Sequence, residues 1–167
     1  MKTKILRSLI TILAVLSVLI QTVNAADRSF DEALAQFLMG GVYTNTETTT
    51  KADKFCLYGS DGITIHIVSD NNIVILDENN GNKEKYKKCR LIYVAKNKEK
   101  LVKSFIDNMN NSGALTIATF ANFVSDGGML FVDVGRRNFE LTVNTASFKK
   151  SGVKLDSSIV GLIINKK

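Results

Sequence analysis

Residues 87–120 read KKCRLIYVAKNKEKLVKSFIDNMNNSGALTIATF. From Cys89 to Ala95 apolar and β-branched residues dominate, which predicts a strand. Leu101, Val102, Phe105, Ile106 and Met109 then recur at i, i+1, i+4, i+5 and i+8. That is the spacing of an amphipathic helix, with a stop near Asn111-Ser112-Gly113. Ala114 to Thr119 carries no charge and predicts a second, buried strand. Strand, helix and strand in this order form a crossover unit, which points to parallel pairing in an α/β sheet.

The same alternation continues outward. Upstream, Phe55 to Tyr58 and Asn72 to Leu76 read as strands, the first stopped by Gly59-Ser60-Asp61-Gly62. Between them residues 63–70 are ambiguous: Ile63, Ile65 and Ile67 alternate as in a strand, yet a crossover helix fits there. Phe30, Ala33, Leu34, Phe37 and Leu38 predict an amphipathic helix over 29–41, ended by Gly40-Gly41. The polar segments 44–53 and 77–88 read as loops. Downstream, Met129 to Val134 and Asn138 to Asn144 flank Gly135-Arg136-Arg137 and read as a hairpin. Residues 145–151 suggest a turn or two of helix. Asp156 is placed to cap a final helix carrying Ile159, Val160, Leu162 and Ile163. The expected fold is α/β: a single three-layer domain over residues 26–167, with a mostly parallel sheet and an antiparallel edge hairpin.

The first residues bear on compartment. Lys2, Lys4 and Arg7 precede an apolar run of roughly 12 residues, too short for the ~20 that span a bilayer. Val23-Asn24-Ala25 then supplies small residues where a signal peptidase cuts. This order reads as a cleaved signal peptide over residues 1–25, and so as export of the rest of the chain. About 140 residues remain, enough for one core. The whole chain has 22 basic and 16 acidic residues. Removing Lys2, Lys4 and Arg7 leaves 19 against 16, a net charge of +3, which gives no ground for nucleic-acid binding.

Cys56 and Cys89 are the only cysteines. An oxidising compartment favours pairing them, and neighbouring parallel strands could bring their Cα atoms within about 6 Å. The alternative is two buried free thiols packed as small hydrophobes. Two cysteines and one histidine cannot make a four-ligand zinc site, so no metal is expected. Ser60 follows a strand as a nucleophile would, and His66 is the only candidate base. The turn lacks the G-x-S-x-G order, however, and no catalytic residue is assigned. Gly59 and Gly62 could cradle a phosphate, but neither a P-loop nor a G-x-G-x-x-G fingerprint is present, so no cofactor is expected. Glu99 and Lys103 stand four apart as a helical ion pair.

The order of Phe55-Cys56-Leu57-Tyr58-Gly59, Lys88-Cys89-Arg90-Leu91-Ile92-Tyr93-Val94, Ala114-Leu115-Thr116-Ile117, Phe123 through Gly127-Gly128-Met129, and Lys149 through Ser158 resembles the YfiR family of small periplasmic proteins. The resemblance covers nearly all of the chain after residue 25. It departs at a Trp-Pro pair and a second cysteine pair found in members, both missing here. What it implies is a non-enzymatic regulator. The best-known member binds the periplasmic domain of an inner-membrane diguanylate cyclase and holds it inactive, and its cysteines tie that brake to redox state. The implied partner is therefore an inner-membrane signalling protein with a periplasmic sensor domain; the partner-binding residues stay unassigned and a homodimer stays open. Two other readings compete: a periplasmic small-ligand sensor without a fixed protein partner, and an exported hydrolase using Ser60 and His66.

Overall fold

The computed structural model describes residues 30–68, 72–76, 83–134 and 139–166. Residues 1–25, read above as a signal peptide, residues 77–82 of the second loop and the hairpin turn Gly135-Arg136-Arg137 lie outside the described residues. Helix α1 is α-helical over 30–36 and continues as a π-helix over Phe37–Tyr43. The chain then runs through β1 (Thr46–Glu47), β2 (Lys54–Tyr58), α2 (Gly62–Ile67), β3 (Ile73–Leu76), α3 (Lys83–Tyr86) and β4 (Cys89–Val94). A 3-10 segment, Lys96–Leu101, leads into α4 (Val102–Asn110). There follow β5 (Leu115–Ala118), β6 (Leu130–Val134), β7 (Phe139–Val143), α5 (Thr145–Ser151), β8 (Lys154–Leu155), α6 (Ser157–Val160) and β9 (Ile163–Lys166).

Seven strands form one sheet in the order β3-β2-β4-β5-β6-β7-β9. The first five run parallel, β7 turns back antiparallel on β6, and β9 pairs parallel with β7. The fold is therefore the α/β class expected, with the hairpin toward one side of a mostly parallel sheet. A separate two-stranded ribbon joins β1 to β8.

Side-chain alternation divides the core into two layers. Phe55, Leu57, Leu91, Tyr93, Leu115, Ile117, Leu130 and Val132 point to one face, where Leu34, Leu38 and Val42 of α1 and Ile63 and Ile67 of α2 cover them. Cys56, Tyr58, Ile92, Val94 and Ala118 point to the other, under Tyr86 of α3 and Val102, Ile106 and Met109 of α4. Helices on both faces explain why the parallel strands read as near-continuous apolar runs.

Several expectations are corrected. The ambiguous segment 63–70 is helical over Gly62–Ile67, because Asp61 caps it: its carboxylate accepts from Thr64 N at 3.1 Å while Thr64 Oγ1 accepts from Asp61 N at 3.0 Å. Gly40-Gly41 does not end α1. Leu38 and Val42 are both fully buried, and that packing carries the helix across the glycine pair. Part of the expected 77–88 loop is the short helix α3, anchored by buried Tyr86. The final helix stops at Val160. After Gly161, Leu141 N donates to Leu162 O at 3.3 Å, which steers the chain into β9 beside β7. Glu99 lies in the 3-10 segment, where the i,i+4 geometry is lost, and Lys103 pairs instead with Asp126 at 3.3 Å.

Candidate functional site

The strand order places a topological switch point between β2 and β4: from β2 the chain crosses outward to β3, then returns to the other side of β2 as β4. Doubly wound sheets bind ligands in the crevice beyond the carboxyl ends of such a strand pair. Here that crevice lies between the turn after Tyr58 and the segment after Val94.

Its own side chains bridge it. Asp61 Oδ2 accepts from the Tyr93 hydroxyl at 2.8 Å and from Lys96 N at 3.1 Å. Ser60 N donates to Asn97 Oδ1 at 3.1 Å, and Asn97 Nδ2 donates to Ser60 Oγ at 3.3 Å. Ala95 N donates to Tyr58 O at 2.9 Å, extending the strand pairing by one rung. Gly59 has φ +92°, and a Cβ there would stand 2.3 Å from Asn97 Oδ1 and 2.5 Å from Lys98 Cγ. Only glycine fits that approach. Burial, and next the negative charge of Asp61, raises the Tyr93 pKa, so its hydroxyl stays a neutral donor.

This geometry answers the chemical readings. Ser60 Oγ is engaged by Asn97, and His66 sits in the last turn of α2 without a hydrogen bond to any described residue. No nucleophile–base contact is formed. A phosphate cradle at the start of α2 is disfavoured too. The Asp61 carboxylate occupies the cap, and Asp31 Oδ2 lies so close to Gly62 that a Cβ there would meet it at 2.0 Å. Two carboxylates at that end repel an anion. Among the described residues no cluster of three metal-ligating side chains occurs. The sequence reading missed the roles of Asp61, Tyr93 and Asn97. Asp61-x-x-Thr64 carries a capping pattern that could have flagged the first.

Cys56 and Cys89 are joined, with Cα atoms 5.7 Å apart. The pairing depends on a register shift between Lys54 and Phe55, which face Cys89 and Leu91 and leave Arg90 over. Cys89 is three residues before Ile92, so strict alternation would send its side chain to the face opposite Ile92 and Cys56. The bulge turns it back, and both sulfurs lie in the same buried cluster. Arg90 is used elsewhere: its Nε donates to Ala52 O at 3.3 Å and its guanidinium stands 5.1 Å over the Tyr43 ring.

The YfiR/HmsC-like family profile matches residues 41–162. The chain belongs to the YfiR/HmsC-like family. The match spans both cysteines, the bridged switch point and the hairpin, and leaves out Asp31 and most of α1. Among solved structures the chain resembles the crystal structure of a conserved domain protein from Vibrio cholerae O1 biovar El Tor str. N16961, with a TM-score of 0.57 at 9% identity. The match covers 81% of this chain and 58% of that one, and it supports the fold alone. No curated protein matches the chain.

A YfiR/HmsC-like chain that works by contact needs a free surface. Ile65 and Val68, on the outer side of α2, are 75% and 50% exposed, and Ile75 on the edge strand β3 is 63% exposed. In β3 Ile75 alternates with Ile73, which packs into the α1–α2 layer, so Ile75 faces the same side of the sheet as α2. Three large apolar side chains thus flank one sheet edge, where soluble proteins usually place charge. No helix among the described residues is long and apolar enough to cross a membrane.

Proposed function

We propose that the chain is exported through residues 1–25 and that residues 26–167 act as a periplasmic, redox-sensitive binding regulator, repressing an inner-membrane signalling enzyme of the diguanylate cyclase kind. The observation that carries this reading is the family match across residues 41–162. Two features support it. The crevice where a sheet of this order would hold a cofactor is bridged by Asp61, Asn97 and Lys98, and apolar side chains lie open beside β3. Repression requires that the regulator prefer the partner's inactive state. Reversing a 99:1 population takes a differential affinity of about 5.5 kcal/mol, within reach of an interface burying on the order of 1,200 Å².

The test pairs genetics with capture. Deleting the gene should raise cellular cyclic-di-GMP, and the protein used as bait should recover a cyclase or sensor kinase with a periplasmic domain from solubilised membranes. Unchanged cyclic-di-GMP together with no such partner would overturn the proposal.

A further inference from the structure

The face covered by α1 and α2 is not closed along its whole length. Beyond the hairpin a cleft of about 440 Å³ opens between α5, β8, α6 and the start of β9. Its floor is Val143 and Val153, both buried in the core. Its walls are Phe148, Leu155 and Ile163, each only partly buried while packed against that core. Val160 stands at the rim, 48% exposed. The core is therefore left in contact with solvent here, through aliphatic side chains and one ring.

Lys149 and Lys154 also line this cleft, both exposed. Neither ammonium group forms an ion pair or hydrogen bond with a described residue, although Glu47 stands opposite Lys154 across the β1–β8 ribbon. The nearest carboxylate in sequence, Asp156, is committed to capping α6, where Ser158 N donates to it at 2.9 Å, and that bond holds its pKa below the usual carboxylate value. An apolar trough with two unpaired cations at its edge is complementary to a molecule with an apolar body and one negative end. Its volume lies within the roughly 300–1,000 Å³ range of small-molecule sites.

We infer that this cleft binds a medium-chain alkyl carboxylate, with the chain laid against Val143, Val153 and Leu155 and the carboxylate between Lys149 and Lys154. The mostly aliphatic lining favours an alkyl over an aromatic body. The site is separate from the bridged crevice between β2 and β4 and does not depend on the partner reading; a ligand here would give the regulator a chemical input.

Titration of the purified protein with sodium decanoate, below its micelle concentration, tests this by calorimetry and by methyl NMR. Saturable binding should shift the methyl signals of Val143, Val153 and Leu155. Decanol and decyltrimethylammonium, which share the chain but not the charge, should bind at least about tenfold more weakly. The double variant K149Q/K154Q should weaken decanoate about tenfold, as two rim-exposed charge contacts allow. V160D, at an exposed position, should weaken it without affecting the fold, as judged by circular dichroism. The inference is overturned if decanoate does not saturate, if the ammonium amphiphile binds equally well, or if the shifted methyls lie elsewhere.

Discussion

Opening the Cys56–Cys89 bond is the perturbation whose cost follows most directly from the structure. The bond closes a loop of 33 residues. In the chain-entropy treatment that constrains the unfolded state by about 12.5 cal/mol/K, or about 3.7 kcal/mol at 25 °C. A protein of this size unfolds with about 0.3 kcal/mol/K of entropy, so reduction should lower its melting temperature by about 12 °C. Replacement by alanine should cost more than reduction. Both cysteines are fully buried, and removing each sulfur leaves a void worth about 0.5–1.5 kcal/mol, as for a buried methyl. Cys56→Ala/Cys89→Ala should therefore lie about 1–3 kcal/mol below the reduced wild type. Urea unfolding of oxidised, reduced and double-alanine protein, followed by circular dichroism, measures all three. Thiol labelling of denatured, unreduced protein should modify neither cysteine. If reduction costs less than about 1 kcal/mol, the loop-closure argument fails for this chain. If the alanine variant equals the reduced protein, the claim that both sulfurs fill core volume fails.

Asp61→Ala removes an N-cap worth about 0.5–2 kcal/mol and leaves Tyr93 and Lys96 N without a charged acceptor, so denaturant melts should show a loss of about 2–4 kcal/mol. Tyr58 is buried with a hydroxyl that has no hydrogen-bond partner among the described residues, and burial, then Tyr86, pushes its pKa from 10.0 up to about 12; the raised value favours the protonated folded state, so its contribution is whole below pH 10.0 and is lost as pH climbs toward about 12. Tyr58→Phe should accordingly leave neutral-pH stability equal or higher and flatten that alkaline decline, and a destabilisation above about 1 kcal/mol would show that the hydroxyl has a partner. Ser60→Ala and His66→Ala should each leave cyclic-di-GMP levels at wild-type values; loss of repression by a folded variant would revive the hydrolase reading.

What was legible in the sequence was what local periodicity encodes. The strands around Leu57, Ile92 and Ile117 are buried on both faces, so their runs are apolar whatever the register. Helix α4 shows its inward residues at helical spacing because its outer face meets water. The readings that failed depended on distant contacts. Gly40-Gly41 looks like a stop, but the sheet below rewards burying Leu38 and Val42. Leu162 and Ile163 look like the end of a helix, yet β7 offers a strand edge to Ile163–Lys166. The candidate site was less legible still. Ser60 and His66 stood out because their residue types suggest chemistry, whereas Asp61, Tyr93 and Asn97 matter through one crevice whose walls lie about 35 residues apart in the chain. The cysteine pair was read from compartment and strand proximity; the bulge at Arg90 that makes the pairing geometrically possible has no mark in the sequence.

The bulge also decides where the bond acts. Strands β2 and β4 are neighbours in the interior of the sheet. At the end where Cys89 begins β4 they are tied by the disulfide; at the other end they are tied by Asp61 with Lys96 N and by Asn97 with Ser60. Reduction releases only the first tie. The second rests on hydrogen bonds indifferent to redox state, and the core on both faces stays packed. A loss of about 3.7 kcal/mol against a typical total of 5–15 kcal/mol then loosens the fold more readily than it abolishes it. The residues nearest the released end are Lys54, Arg90 and the Ala52 carbonyl that Arg90 holds. Cys56 also faces Val74 of β3, and Lys54 Nζ donates to Asn72 Oδ1 at 3.2 Å, so the released end borders the β3 edge as well as the Arg90–Tyr43 contact. Proton-exchange rates should rise first at Phe55 and Leu91 on reduction, with Tyr58 and Val94 still protected; uniform loss of protection along both strands would mean that the two ties act as one.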